Sequence, residues 1–465
     1  MTIERTPRWR LRTLILAVAT VVLAWVVISS SLAAYLADAA PQTALKLNPR
    51  EPVALVNLAD RMLGTSASAS RPDRASPSAP PKNADGAANG AVANAQSANP
   101  AFSAFDDFDQ RPGVDLPTIR GWIASSLPNA PLDSRAMRIL GQAADAAKDH
   151  AQAAKFMNAA VHLSLHDQIA NYWQIVNSAE AKDYKATLYY ADVFLRTSPE
   201  LGQYVLPILA RIAEDKNSVD LLSTLLVSDP PWRGQFFQQL PSSVADARTP
   251  LQLLLALRTS AEPPTPDDVN RYLNFLVGHK FYDLAYYTWL QFLPPEQLRN
   301  AGLLYNGGFE IAPSGSPFDW LIPQGAGVTV DIQAKPNDSS GHALVLNFEY
   351  GRVEYQSVTQ LIKLPPGRYH FTGQSKGELV GPRGLKWRVA CAESPTSYIA
   401  ESAMISGRAS AWRDSEFDFK APERDCRAQY LSLDFDARMP SERFITGTIW
   451  FDDLRIARIE ERPNQ

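Results

Sequence analysis

The sequence is poor in the residues that most enzyme active sites and metal centres use. Only two of its 465 residues are cysteines and six are histidines. It contains no phosphate-cradling glycine loop and no His-Glu-x-x-His pair. His162 and His166 share a helix face, but no third ligand type is near them in the sequence, so we interpret them as packing or helix-end residues. The chain is therefore predicted not to be an enzyme.

The chain also lacks an excess of charge of either sign. Its formal net charge is -4 at pH 7, which provides no basic field for nucleic acid. Glycoside hydrolysis needs two carboxylates across a cleft. The acidic pairs Glu416/Asp418 and Asp434/Asp436 instead alternate along strand-like runs, as the solvated face of a strand does. A polysaccharide hydrolase is the weaker alternative that remains.

One long uncharged run lies near the start of the chain. Residues 13–37 have no charged side chain, and a bilayer core needs about 20 such residues as a helix. The run is preceded by four arginines and followed by an acid: Arg5, Arg8, Arg10, Arg12 and Asp38. This asymmetry predicts a single-pass inner-membrane protein, with residues 1–12 as a cytoplasmic tail and the bulk in the periplasm. The alternative is a signal peptide cleaved at residues 37–39, which also exports the chain.

The only two cysteines, Cys391 and Cys426, both lie in the C-terminal third. In an oxidising compartment such an isolated pair predicts one disulfide, in agreement with the predicted export. The alternative is two separate buried thiols.

Composition divides the rest of the chain. Residues 38–63 predict a short helical segment with an Asn-Pro break. Residues 64–113 are rich in Ala, Ser, Pro, Gly and Asn, and predict a disordered linker because they cannot bury enough apolar surface to offset chain entropy. Residues 102–109 (FSAFDDFD) are either a short docking motif or a linker end that packs locally.

Residues 114–302 have apolar residues at three- and four-residue spacing, which predicts short helices. The pair Leu140-Gly141 is followed by small or apolar residues at Ala144, Ala153, Met157 and Ala160. This spacing resembles the tetratricopeptide repeat, in which small residues allow two antiparallel helices to cross closely. The turn at residues 148–150 recurs at 182–184, with a third echo at Lys280, although later repeats lack the Leu-Gly pair. The region is predicted to be an α-solenoid that docks protein partners.

From residue 303 the apolar period changes to two, which predicts β-strands. Seven strand-like runs follow: 327–333, 343–348, 358–364, 368–373, 385–391, 429–435 and 447–451. Many short antiparallel strands over residues 303–460 predict a two-sheet sandwich. Leu385, Trp387, Val389 and Cys391 share one face, which we expect to be the core face.

The ends of this sandwich carry a specific resemblance. The segments 304–310, with Trp320 ten residues later, 340–346 and 447–454 resemble the jelly-roll carbohydrate-binding modules of bacterial xylanases and cellulases, within the galactose-binding-like superfamily. The resemblance implies a structural calcium held by Glu310 and Asp452, with Asp453 as the other carboxylate and backbone carbonyls near Gly341 assisting. The alternative is that these acids are solvated or cap turns.

Sugar binding requires aromatic faces and polar groups on one sheet. The candidates are Tyr350, Tyr355, His370, Gln374, Arg388 and Tyr430. Alternation places Arg388 and Tyr430 away from the core, whereas Trp387 and Trp412 are interpreted as core residues.

The combination of anchor, linker, helical repeats and sandwich resembles proteins encoded with exopolysaccharide synthesis and export machinery in proteobacteria. It implies a non-catalytic, periplasm-facing scaffold that binds polysaccharide, envelope proteins or both, and no nucleic acid. The alternative is a protein-interaction scaffold of an envelope or secretion complex that binds no glycan.

Overall fold

The computed structural model describes residues 8–63, 115–299, 301–335 and 341–459. All of the predicted linker, residues 64–113, including residues 102–109, lies outside the described residues. The chain divides into two compact units, residues 1–212 and 213–465, and each is described by itself below. The predicted boundary at residues 302/303 stays a prediction.

In its described residues the first unit is helical. Its α-helices are α1 (Arg8–Leu36), α2 (Pro41–Leu47), α3 (Pro52–Leu63), α4 (Leu116–Ser126), α5 (Ser134–Ala146), α6 (His150–Leu163), α7 (Gln168–Glu180), α8 (Tyr184–Thr197) and α9 (Gly202–Ile212), with a 3-10 turn at Pro199–Leu201. Within α1, the 23 residues Leu14–Leu36 are apolar and long enough to cross a membrane. By length and composition such a helix could serve as a membrane anchor or a signal sequence, and its role as an anchor stays a prediction.

The turns that recur in the sequence share one backbone conformation. Lys148 and Lys182 both adopt positive φ, 61° and 56°, immediately after a helix ends. The following aspartates, Asp149 and Asp183, each accept a hydrogen bond from a backbone N–H in the first turn of the next helix. The repeated Lys-Asp pair therefore ends one helix and caps the next. The likeness to tetratricopeptide repeats itself stays a prediction.

Close helix packing explains the glycine of the Leu140-Gly141 pair. A Cβ at Gly141 of α5 would lie 2.9 Å from both Cγ and Sδ of Met157 on α6, and Met157 is fully buried. Glycine therefore lets this buried side chain lie directly against the α5 backbone.

A buried guanidinium ties three helices of the first unit together. Nη2 of Arg138 on α5 lies 2.9 Å from both carboxylate oxygens of Asp60 on α3. Its Nε lies 3.3 Å from Oδ2 of Asp167, which also caps α7 through the Ala170 N–H. Burial raises the pKa of Asp167, and the charge of Arg138 opposes that rise. The attraction between Arg138 and the two carboxylates thus offsets the free-energy cost of removing the three charged groups from water.

Replacing this guanidinium should destabilise the first unit. We expect Arg138→Met to cost about 3–5 kcal/mol, because two buried carboxylates lose their counter-charge. Hydrogen exchange of the α3, α5 and α7 amides in the full chain measures the loss. Arg196→Met is the control: Arg196 forms an exposed ion pair with Asp192, worth about 0.5 kcal/mol. Equal protection in the two variants would contradict this role for Arg138.

The second unit begins with helices. These are α10 (Val219–Val227), α11 (Arg233–Ser243), α12 (Thr249–Leu257), α13 (Pro266–Gly278), α14 (Tyr282–Phe292) and α15 (Pro295–Arg299). Trp232 and Arg233, which follow two prolines at residues 230 and 231, are both buried. Arg233 donates to the carbonyl oxygens of Glu262 and Pro263 at 3.1 Å, and so holds the segment before α13 against the start of α11.

The sandwich follows in the same unit. Its strands are β1 (Val328–Ala334), β2 (His342–Phe348), β3 (Val358–Ile362), β4 (Gly367–Val380), β5 (Leu385–Cys391), β6 (Tyr398–Glu401), β7 (Gly407–Ala421), β8 (Gln429–Phe435) and β9 (Thr446–Arg458). They form a five-stranded sheet, β1-β2-β9-β4-β7, and a four-stranded sheet, β3-β8-β5-β6, with antiparallel pairing throughout. The predicted two-sheet fold is confirmed. The predicted runs omitted β6 and the long edge strand β7.

Aromatic rings fill the space between the two sheets. Trp387 of β5 is almost fully buried, with its ring centroid 5.7 Å from those of Phe371 and Phe451 and 6.0 Å from that of Trp320. The indole N–H of Trp320 donates to the Asn306 carbonyl oxygen at 2.9 Å, so its polar atom is satisfied inside the core. The expectation that the Trp387 face is the core face is correct.

Helix α14 packs onto the sandwich. The ring centroid of Trp289 lies 5.1 Å from that of Tyr305 and 5.5 Å from that of Phe318. Asp283 pairs with Lys363 at 2.9 Å beside these rings. The sandwich and the helix before it therefore share an apolar interface.

The predicted disulfide between Cys391 and Cys426 is confirmed, with Cα atoms 4.9 Å apart. It joins the end of β5 to the segment before β8 and closes a loop with a sequence separation of 35.

Removing this cross-link should destabilise the sandwich. We expect the double variant Cys391→Ser/Cys426→Ser to lose about 3–4 kcal/mol, because a loop of this length gains entropy in the unfolded chain. Urea unfolding followed by tryptophan fluorescence tests this. An unchanged transition in the double variant would show that the bridge contributes no stability.

Candidate functional site

The six residues predicted to bind sugar do not form one site. His370 and Gln374 lie on β4, in the five-stranded sheet, whereas Arg388 and Tyr430 lie on the four-stranded sheet. The other two, Tyr350 and Tyr355, lie in the segment before β3. Each of the two sheets therefore carries its own pair of candidates.

The outer face of the four-stranded sheet carries a network of ion pairs. Nε of Arg388 lies 3.1 Å from Oε2 of Glu401, and the guanidinium also pairs with Asp436. Nζ of Lys386 lies 2.6 Å from Oε1 of Glu401. The Arg388 guanidinium also stacks on the Tyr398 ring, 4.6 Å from its centroid. Both cations are therefore paired within the protein, and Arg388 also contacts the ring of Tyr398.

This network lies beside a polar cleft of about 840 Å³, which both Arg388 and Tyr398 line. The hydrogen bond from Lys386 holds the pKa of Glu401 below its usual range. At Asp436, burial by itself would raise the pKa. The hydrogen bond from Arg388 and the charge of Lys386 outweigh this effect, so the pKa of Asp436 is lowered. Both acids therefore stay ionised at neutral pH and serve to hold the cations in place.

The three predicted tyrosines differ in their exposure. Tyr350 is 98% exposed. The hydroxyl of Tyr355 donates to the Leu433 carbonyl oxygen at 2.9 Å, and burial strongly raises its pKa. Burial also raises the pKa of Tyr430. Of the three, only the ring of Tyr350 is fully open to a ligand.

The outer face of the five-stranded sheet has a different character. We call it the aromatic face and define it by Lys376, Trp412 and Trp450. Strand register places Trp450 of β9 beside Lys376 of β4, and Nζ of Lys376 lies 6.0 Å from the centroid of the Trp412 ring on β7. Both indoles are half-buried. The core residues Ile449 and Phe451 flank Trp450, so alternation directs its ring outward.

Polar side chains held by hydrogen bonds surround this lysine and the two indoles. Nε2 of Gln374 donates to Oδ1 of Asp414 at 3.0 Å, and Oγ1 of Thr448 donates to Oδ1 of Asn347 at 2.9 Å. Further along β4, Nδ1 of His370 lies 2.7 Å from Oδ1 of Asp418. The face thus combines fixed amide, hydroxyl and carboxylate groups with two flat apolar rings.

Sequence reasoning missed the two tryptophans of this face. The assignment of Trp412 to the core is wrong, because its ring is half-exposed and lies against Lys376. Trp450 was overlooked because it is part of the apolar run Ile449-Trp450-Phe451, which shows no alternation. The sequence signal available was the phase of the longer strand, in which Thr448 and Trp450 occupy the polar side.

The predicted calcium ligands already have protein partners. Oδ2 of Asp452 lies 2.6 Å from the Lys335 ammonium, Asp453 pairs with Arg455 at 2.8 Å, and Glu310 accepts from the His342 N–H at 3.2 Å. Within the described ranges, no group of three or more His, Cys, Asp and Glu side chains is arranged to hold a metal ion. Because calcium takes six to eight oxygen ligands, these residues do not fit it.

Comparison with known proteins finds likeness in solved structures alone. No protein-family model matches the chain, and no curated protein matches it. A family 4 carbohydrate-binding module is 15% identical, with a TM-score of 0.25, over 34% of this chain and 99% of that chain. A family 61 module solved with β-1,4-galactotriose is 19% identical, with a TM-score of 0.24, over the same shares. The CBM22-1 xylan-binding domain from Paenibacillus barcinonensis Xyn10C is 15% identical, with a TM-score of 0.24, over 34% and 94%. The C-terminal part of the chain resembles these modules in fold, and the likeness extends no further.

The lowered pKa values of Glu401 and Asp436 predict acid sensitivity. A carboxyl group whose pKa is lower in the folded state stabilises the fold above its unfolded pKa, and that contribution is lost as pH falls through the folded value. We expect Arg388→Gln to destabilise the sandwich most above about pH 5, and the difference from wild type to narrow below about pH 4. Urea unfolding across this pH range measures the difference. A difference independent of pH would contradict the proposed contribution of the ion pairs.

Proposed function

We propose that this chain is a non-catalytic, membrane-anchored glycan-binding scaffold whose sandwich binds a polysaccharide on the aromatic face. The observation that carries the proposal is the pair of half-exposed tryptophans, Trp412 and Trp450, on either side of Lys376 on one sheet.

The chemistry of the aromatic face suits a sugar. The C–H side of a pyranose ring is apolar and flat, so it stacks on an indole without costing a hydrogen bond. Its hydroxyl groups need donors and acceptors at the rim, which Gln374, Asp414 and Asn347 provide. Because neighbouring side chains already hold these groups, little conformational entropy is lost on binding.

The other parts of the chain support a scaffold in this proposal. Helix α1 serves as the anchor, with the N-terminus in the cytoplasm and the chain that follows the helix in the periplasm. The helical hairpins dock envelope proteins, and the whole protein supports exopolysaccharide synthesis or export. An exposed aromatic residue on a helix of each unit supports the docking role: Tyr189 in the first unit is 56% exposed, and Tyr287 in the second is 62% exposed.

The same exposed tyrosines favour the second candidate function, a protein-only scaffold without a glycan ligand. The two functions differ in what the aromatic face does. If the second is correct, changes to Trp412 and Trp450 leave the cellular phenotype intact, while changes to Tyr189 and Tyr287 abolish partner capture.

Affinity electrophoresis of the full chain, solubilised in detergent, tests the glycan proposal directly. The probes are the soluble extracellular polysaccharide of the producing cell, a β-1,4-xylan and a β-1,4-galactan. We expect Trp412→Ala and Trp450→Ala each to weaken binding by about 1–2 kcal/mol, or roughly five- to thirtyfold in Kd, because each variant loses one stacking surface.

Tyr350→Ala is the matched control, because Tyr350 is a fully exposed aromatic residue of the same unit outside the aromatic face. It should bind as wild type does. Retardation that survives loss of both tryptophans would exclude the aromatic face as the site. No retardation of the folded wild-type chain by any probe would favour the protein-only scaffold.

A further inference from the structure

Four distant segments of the chain meet at one carboxylate pair of the sandwich. Glu310 follows the opening turn, Lys335 follows β1, Gly341 precedes β2, and Asp452 lies in β9. Asp452 is only 6% exposed. A buried carboxylate at such a junction needs a cation, because leaving a buried charge uncompensated is costly.

The cation present is the side chain of Lys335. Its Nζ lies 2.6 Å from Oδ2 of Asp452, and its backbone N–H donates to the Gly341 carbonyl oxygen at 3.2 Å. The lysine side chain is 20% exposed and the aspartate side chain 9%. Shielding of this degree makes the pair stronger than a surface ion pair.

The space around Gly341 shows how closely the charged groups converge. A Cβ on Gly341 would lie 2.4 Å from Oε1 of Glu310 and 3.2 Å from Nζ of Lys335. Its φ of +93° also favours glycine. The Lys335 ammonium and the Glu310 carboxylate therefore both lie close to Gly341, and a side chain at this position would collide with the carboxylate.

Glu310 is oriented by the start of β2. Both of its carboxylate oxygens accept from the His342 N–H at 3.2 Å, and Oε2 lies 3.3 Å from Nδ1 of the same histidine. Gly308, just before it, lies close enough that a Cβ would be 3.9 Å from Oδ1 of Asp452. The two acids predicted to bind calcium thus lie near one another, and the one that is buried, Asp452, pairs with the ammonium group of Lys335.

We propose that the Lys335 ammonium is the resident cation of this site and takes the position in which the resemblance to carbohydrate-binding modules implies calcium. A monovalent ammonium with three N–H donors offsets the charge of the buried Asp452 without the six to eight oxygen ligands that calcium needs. It links the end of β1 to the last strand. The stability of the sandwich is therefore independent of calcium.

Thermal unfolding of the full chain, followed by tryptophan fluorescence, tests the proposal in millimolar CaCl2 and in EGTA. We expect the wild-type midpoint to be the same in both. A lower midpoint in EGTA, or a higher one in CaCl2, would overturn the proposal, and this comparison does not depend on any variant folding.

Three variants separate charge from volume. Lys335→Met keeps the aliphatic volume and loses the charge, and should lower the midpoint by at least a few degrees. Lys335→Ala also opens the space between the acids, so it should lower the midpoint and gain a stabilising response to CaCl2. Lys363→Ala, which removes an ion pair with the exposed Asp283, is the control and should leave the midpoint nearly unchanged.

Two results with these variants would contradict the proposal. If Lys335→Met is as stable as wild type, the charge is not needed and the ammonium is not a structural cation. If Lys335→Ala shows no response to CaCl2, the ammonium does not stand where a divalent ion would.

Discussion

The packing of Trp387 between the two sheets is the contact on which the sandwich depends. Its indole touches rings from the opening segment, from β4 and from β9, so a single side chain joins both sheets and both ends of the domain. Burial of so large an apolar surface fixes which side of each strand faces inward. The residues between these core positions then point outward on the two outer faces, where they are accessible to a ligand.

The two outer faces differ in the side chains that they expose. On the four-stranded sheet, Arg388 and Lys386 form ion pairs with carboxylates of the protein itself. On the five-stranded sheet, the two indoles and the hydrogen-bonded polar groups face outward. Among the described residues, neither indole packs against another aromatic ring. The contrast arises from strand register and not from composition, because both faces carry aromatic and charged residues.

The sequence alone predicts those features that depend on local pattern. Alternation predicts the inward face of β5, and the Lys-Asp pairs predict helix ends, since both follow from backbone geometry within a few residues. It fails where distant segments meet. The β7 strand is rich in charge and has little apolar alternation, so neither the strand nor the position of Trp412 is evident before the pairing with β4 is known. The contact of Lys335 with Asp452 likewise depends on how β1, β2 and β9 align.

The aromatic face lies on an open sheet, with β1 at one edge and the long strand β7 at the other. The five strands span about 20 Å, and the sheet is open at both edges because no further strand pairs with β1 or β7 among the described residues. If the aromatic face binds a polysaccharide as proposed, a surface of this shape holds an internal stretch of the polymer, not its end, and leaves the polymer free on both sides. Several copies of the protein can then occupy one polysaccharide at once, so that affinity for the polymer grows with its length even though each contact is weak.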